Sequence, residues 1–222
     1  MAVRQYDNTH RAEQAQRTRA AVLAAVGERF LADGYAATTI RGIAETAGIS
    51  PETVYKVFGS KVELLRRWIE DRTAGAEPVP IIEQGWVEEL RATADRRQRV
   101  VIAARATAAI QDRTAAAMTV LAAAAHADER ATALWDVLRE QRRSDVRAVV
   151  ALVIAPLDVG GEPPSEELVD IAFALTEPHL HHVLVGERGW TPERYAAWLA
   201  ELLSSQFGGE DDRSPTKETS LS

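Results

Sequence analysis

Between Thr39 and Phe58 the chain punctuates itself so densely that only two very short helices fit. Thr38 or Thr39 offers a hydroxyl at the start of a segment containing Ile40, Ile43, Ala44 and Ala47, and Gly48 stops it. A hydroxyl there accepts a hydrogen bond from an amide of the first turn, and glycine takes the left-handed backbone that closes a helix at no steric cost. Ser50-Pro51-Glu52-Thr53 then opens a second helix. Ser50 is its cap, and Pro51 takes the first helical position, where a missing N–H costs nothing. Two helices joined so tightly cross steeply and need a small residue where they touch, which is Ala44. Ile43, Ala47, Ile49, Val54 and Phe58 fall on the inward face. The opposite face keeps Ser50, Glu52, Thr53, Tyr55 and Lys56, whose hydrogen-bonding groups suit phosphates and base edges in a major groove. A compact helical hairpin with a merely solvated polar face is the alternative.

The flanks extend the same pattern. From Gln16 to Asp33, Val22, Leu23, Val26, Phe30 and Leu31 recur at helical spacing, with Gly34 as the stop. Ser60-Lys61-Val62-Glu63 has the spacing of a capping box and starts a further helix to about Thr73. Residues 1–15 lack hydrophobic periodicity and read as a flexible arm. The Gly- and Pro-bearing stretch Ala74–Pro80 marks a boundary, which gives a helix-turn-helix domain over 16–76 and a second domain over 77–207. In the second domain, helices are expected over Asp95–Gln111, Ala115–Ala125, Asp128–Ile154, Ser165–Val185 and Pro192–Gln206, with a loop at Pro156–Pro164. Residues 208–222 are polar and aperiodic and are expected to be disordered. The fold class is all-α, with about nine helices.

Composition narrows the function. The chain has no cysteine, which excludes disulfides, zinc–thiolate sites and cysteine nucleophiles. It has no apolar run long enough to span a bilayer, so a cytoplasmic protein without membrane contact is expected. The net charge is −7, yet residues 1–61 carry eight basic against six acidic side chains, so the acidity lies elsewhere. A mildly basic head on an acidic body is compatible with DNA binding.

From Arg17 to about Asp71 the sequence resembles the TetR family of transcriptional regulators. The resemblance rests on Phe30-Leu-Ala-Asp-Gly-Tyr, Thr38-Thr-Ile-Arg-Gly-Ile-Ala, Ala47-Gly-Ile-Ser, Thr53-Val-Tyr, Phe58-Gly-Ser-Lys and Leu64-Leu. It implies that Thr39 bonds a phosphate and that Arg41 reaches the DNA from the same helix. Ser50, Glu52, Thr53 and Lys56 would lie in or beside the major groove, and Tyr55 and Lys61 would meet backbone phosphates. One departure is Val57, where the family commonly has histidine; valine cannot donate to a phosphate. The resemblance further implies a homodimer on a palindromic double-stranded DNA operator, repression as the usual sign, and a small-molecule effector bound by the second domain. No cofactor is implied.

The second domain is less distinctive. Leu168, Ile171, Leu175 and Leu184, then Tyr195, Trp198, Leu199 and Leu202, have core spacing. By resemblance the last two helices would form the dimer interface, through Leu168, Ile171, Leu175, Trp198 and Leu202. The alanine-rich stretch Arg105–Ala125 leaves room for an apolar ligand pocket near Trp86, Arg105, Met118 and Trp135, or simply lets helices pack closely. His179 and His182 lie three apart, but without an accompanying carboxylate cluster they read as packed histidines, not metal ligands. Glu177 and His181 have no nucleophile or oxyanion hole beside them, so an enzyme is not expected. A helical-bundle enzyme and a protein–protein interaction module stay as alternatives.

Overall fold

The computed structural model describes residues 2–75, 79–154 and 163–207, without the side chains of residues 2–11. The expected disordered tail, and most of the Pro156–Pro164 loop, lie outside the described residues. Among the described residues there are helices and no strands. In chain order they are α1 Ala2–Ala37, α2 Ile40–Ala47, α3 Pro51–Phe58, α4 Lys61–Ala74, α5 Gly85–Ala92, α6 Arg96–Ala125, α7 Glu129–Ile154 and α8 Glu166–Leu175. The one-turn α9, Pro178–His181, runs into a π-helical turn, His182–Glu187, and α10 covers Pro192–Phe207.

The described chain forms two compact units. One takes the residues up to Val79 together with Ile110–Arg142; the other takes Pro80–Ala109 and the residues from Arg143 on. The unit that holds the head therefore takes in Ile110–Arg142 as well, beyond the expected 16–76 span. Its core is built from Val22, Val26 and Phe30 of α1, Ile43 and Ala44 of α2, Val54 and Phe58 of α3, and Leu64, Leu65 and Trp68 of α4. Ala117, Leu121 and Ala124 of α6 and Ala131 and Leu134 of α7 complete it. Burying each large side chain of this set stabilises the unit by about 1.5–3 kcal/mol against the entropy of ordering it. The other unit packs Leu90, Val100, Ala104, Val150, Val153, Ala172, Tyr195, Leu199, Leu203 and Phe207.

Several boundaries depart from the sequence reading, each for a physical reason. Helix α1 begins at Ala2, where an arm to residue 15 was expected. Hydrophobic periodicity marks a buried face, whereas Ala, Gln, Glu and Arg form helix by intrinsic preference alone. Residues 12–21 are accordingly exposed apart from a half-buried Thr18. The two helices expected over 95–125 are one, α6. Nothing at Asp112-Arg113-Thr114 breaks a helix, and the Thr114 hydroxyl donates back to the Ile110 carbonyl at 2.8 Å. In the opposite sense, the helix expected over Ser165–Val185 ends at Leu175. Pro178 disfavours helical backbone in the residue before it and has no N–H to continue the ladder. Helix α5 was missed because eight residues carry too little periodicity to register.

Candidate nucleic-acid interface

The α2–turn–α3 segment is capped by side chains at its helix starts and by glycine backbone at its helix ends. Thr39 has extended backbone (φ −115°, ψ 153°), and its Oγ1 accepts from Gly42 N at 3.1 Å. Its neighbour Thr38 turns inward and donates to Gly34 O at 2.7 Å. Gly48 is left-handed (φ 68°, ψ 30°), its N–H turns back to the Ala44 and Glu45 carbonyls, and Ile49 N also reaches Ala44 O at 3.0 Å. Ser50 Oγ accepts from Thr53 N at 3.2 Å and lies 3.0 Å from Thr53 Oγ1. With both helices capped, the connection between them has little freedom left.

Packing then orients α3. Ile43, Ala44, Val54 and Phe58 are buried, as the inward face requires, while Ala47 and Ile49 are only half-buried at its margin. The outward side carries exposed Ser50, Glu52, Tyr55 and Lys56 and half-buried Thr53. Val57 stands 54% exposed. Thr39 and Arg41 lie exposed at the start of α2; the Arg41 side chain is 82% exposed, with Nε 3.4 Å from Glu45 Oε1. The Glu52 carboxyl is held below its ordinary range, first by its own backbone N–H and then by the Ser50 hydroxyl. It is therefore an anion at neutral pH in the first turn of α3, where the helix dipole favours one.

Lys61 has different surroundings. Its Nζ donates to Tyr35 O at 2.8 Å and Thr38 O at 3.1 Å and lies 4.2 Å from the centroid of the Tyr35 ring. Burial pulls this ammonium below the usual lysine value. The Tyr35 hydroxyl donates to Asp128 Oδ2 at 2.8 Å. Burial and then this bond push the phenol up, and the same bond holds the Asp128 carboxyl down. Asp128 Oδ1 also accepts from Arg130 N at 2.9 Å, capping α7. Sequence reasoning missed Tyr35 and Asp128. An aspartate two residues before an amide of the first turn was a readable cap, but nothing local pairs it with a tyrosine 93 positions earlier. The capping box at Ser60 is half formed: Ser60 Oγ accepts from Glu63 N at 3.2 Å, but Glu63 binds Arg66 and Arg67 and does not return to Ser60.

The remaining expected site residues are placed as follows. Trp86 is half-buried against the core that holds Tyr195, and its indole N–H donates to Gln84 Oε1 at 3.2 Å. Met118 and Trp135 are half-buried against the core that holds Phe30, and Arg105 is exposed. The alanines of α6 at 103, 104, 108, 115, 117 and 124 are buried, in keeping with close packing. Leu168, Ile171, Leu175, Trp198 and Leu202 are all half-buried. His181 is buried with its ring edge-on to Tyr195, and His182 Nε2 lies 3.7 Å from Glu187. Among the described residues no three His, Cys, Asp or Glu side chains are placed to hold a metal ion, and no helix is long and apolar enough to cross a membrane.

Two capped two-turn helices, crossing on small residues with a polar outer face, define a helix-turn-helix protein. Residues 22–67 match the model of the bacterial regulatory proteins of the tetR family. The fold extends the likeness beyond the head. The chain is similar to NalD, described as the secondary repressor of the MexAB-OprM multidrug efflux pump in Pseudomonas aeruginosa (TM-score 0.61, 19% identity, 86% of this chain and 97% of that one). It is similar to the transcriptional regulator FadR from Bacillus subtilis, solved with stearoyl-CoA (0.64, 13%, 84% and 97%). A TetR-like transcriptional regulator from Rhodococcus sp. RHA1 is similar as well (0.58, 18%, 86% and 97%). At these identities the likeness is one of fold. No curated protein matches the sequence. The matched family is one of DNA-binding transcriptional regulators.

Proposed function

We propose that the chain is a dimeric, sequence-specific repressor that leaves its operator when a small molecule binds the second domain. The observation that carries the DNA-binding part is the outer face of α3, where Ser50, Glu52, Tyr55 and Lys56 stand exposed around a buried Val54–Phe58 spine. A helix of this width enters the major groove, and each of these side chains has a partner there: lysine a guanine edge, ionised glutamate a cytosine amine, hydroxyls and tyrosine the phosphates. Arg41 approaches from α2. Dimerisation is supported by the half-buried apolar set on α8 and α10, Leu168, Ile171, Leu175, Trp198 and Leu202. A two-fold dimer imposes an inverted repeat on its site, with half-site centres about one helical turn apart.

Repression is the sign of the NalD function. FadR's stearoyl-CoA makes long-chain acyl-CoA a sensible first compound to test here, and Trp86, Met118 and Trp135 the residues to follow by fluorescence and labelling. The test is capture of genomic fragments by the purified full-length chain, followed by gel shifts on the enriched sequence. Enrichment of one inverted repeat, bound by a dimer, is the expected result. A chain that binds every fragment alike, or none, would remove the proposal.

A further inference from the structure

We infer that Lys61 is a positioning residue, which clamps the turn between α1 and α2 and so sets the DNA-facing start of α2. The inference rests on the DNA-binding reading above, and it gives Lys61 a different task from the phosphate contact that the family resemblance implies. The location is itself an indication. Lys61 is the first residue of α4, at the positive end of that helix's dipole, where a lysine is electrostatically misplaced. What the ammonium finds instead is a pair of carbonyls. Tyr35 O and Thr38 O belong to the stretch where α1 ends and α2 has not begun, so they fall among the acceptors that a helix end leaves unmatched. Lys61 Nζ reaches both, at 2.8 and 3.1 Å, and the Tyr35 ring covers another side of it at 4.2 Å. An ammonium has three donors, and two of them are used in this way.

The clamp has consequences in both directions. Thr38, held through its carbonyl by Lys61 and through its own hydroxyl by Gly34 O and Arg29 O, immediately precedes Thr39, the exposed cap of α2. Loosening Thr38 therefore moves a residue of the DNA face. In the other direction, Tyr35 is bonded through its hydroxyl to Asp128, the cap of α7. Asp128, Tyr35 and Lys61 thus join the starts of α7 and α4 to one turn, all within a single unit. A phosphate that reached Lys61 would share its ammonium with both carbonyls and the ring.

Salt dependence separates the two roles. A lysine that neutralises a phosphate releases counterions, so its loss lowers the slope of log K against log salt by about 0.9 per contact and weakens specific and non-specific binding in parallel. A positioning lysine lowers the ratio of specific to non-specific binding and leaves the slope alone. The full-length chain would first select its preferred duplex from a random-sequence pool. Wild type, Lys61→Met and Lys61→Arg would then be titrated over a salt series, on that duplex and on a scrambled one, below the melting temperature of each variant. Expected is a loss of about tenfold or more in the specific-to-scrambled ratio for Lys61→Met with an unchanged slope. Lys61→Arg keeps the charge but not the compact shape that fits between two carbonyls, so it should lose specificity too. A slope lowered by about one per subunit, or full activity of Lys61→Arg, overturns the inference. If Lys61→Met does not fold, Lys61→Arg decides alone. If the wild-type chain selects no sequence, the proposed function falls, and it falls separately from this result.

Discussion

The helix-turn-helix and the α8–α10 region present opposite kinds of surface. Around α2 and α3 the exposed side chains are polar or charged, Val57 excepted, and the other apolar ones are buried or half-buried. On α8 and α10 large apolar side chains, Leu168, Ile171, Leu175, Trp198 and Leu202, stop half-way into the core. The first surface is finished toward water and suits a polyanion. The second leaves apolar area in water, a cost of about 25 cal/mol per Å² that a second copy of the chain would remove. The difference implies that the two regions fail in different ways, and the largest effect should come from the apolar one. Leu175→Glu combined with Leu202→Glu places one charge on the half-buried face of each helix. It should give monomers by light scattering and weaken operator binding about 10²-fold or more, because the second half-site is no longer held in place. A double variant that stays dimeric would move the interface elsewhere and break the comparison.

The polar surface is sharpened by its two exposed cations. Arg41→Ala and Lys56→Ala should each cost about 1–3 kcal/mol of discrimination at one operator position if the side chain reads a guanine edge. Affinities for single-base operator variants, measured at several salt concentrations, check this. Loss of affinity that is uniform over all variants would reassign the residue to the phosphates. Unchanged preference in both variants would leave base reading to Ser50, Glu52 and Thr53 or to the shape of the duplex.

The same contrast governs what could be read in advance. The head is legible because its signals are local: Thr39, Ser50 and Ser60 cap helices through bonds three residues long, and Gly48 stops α2 within the sequence that needs it. The bonds that locate Lys61 were not legible, since Tyr35 O and Thr38 O lie 26 and 23 positions back along the chain. Elsewhere, the run through Asp112–Thr114 was over-read as a break because polar residues resemble a loop, although in a helix they simply face solvent or bond to the preceding turn. Pro178 was under-read, because apolar residues continue on either side of it. Helix α1 extends back to Ala2 on propensity alone, which periodicity cannot report.

Gly48 isolates one of those local signals. A Cβ added there would meet nothing within 4 Å, so Gly48→Ala tests backbone conformation without a clash. Holding alanine at φ 68° should cost about 1–2 kcal/mol. For a chain of this size that is a fall of about 2–4 °C in melting temperature per kcal/mol. Dimerisation through α8 and α10 should be unaffected. A melting temperature equal to wild type would mean that the turn is not held as tightly as its caps indicate.

The smallest effect tests whether Arg41 works on the polar surface at all. Arg41 and Glu45 are one turn apart on α2, 3.4 Å between Nε and Oε1, with side chains 82% and 71% exposed. Such an exposed pair contributes about 0.3–0.5 kcal/mol to its helix, and the carboxylate competes with any phosphate or base that Arg41 approaches. Glu45→Gln removes the competitor and one negative charge from the DNA-facing side. Binding should therefore tighten by about twofold at low salt, the equivalent of ~0.4 kcal/mol, while stability falls slightly. The gain should fade as salt is raised, since screening lengths shrink to about 3 Å at 1 M. The same substitution made in an Arg41→Ala chain separates two causes. If Arg41 touches DNA, most of the gain disappears there, because no cation is left to release. An equal gain in both backgrounds would reduce Glu45 to a distant like charge and take Arg41 off the interface.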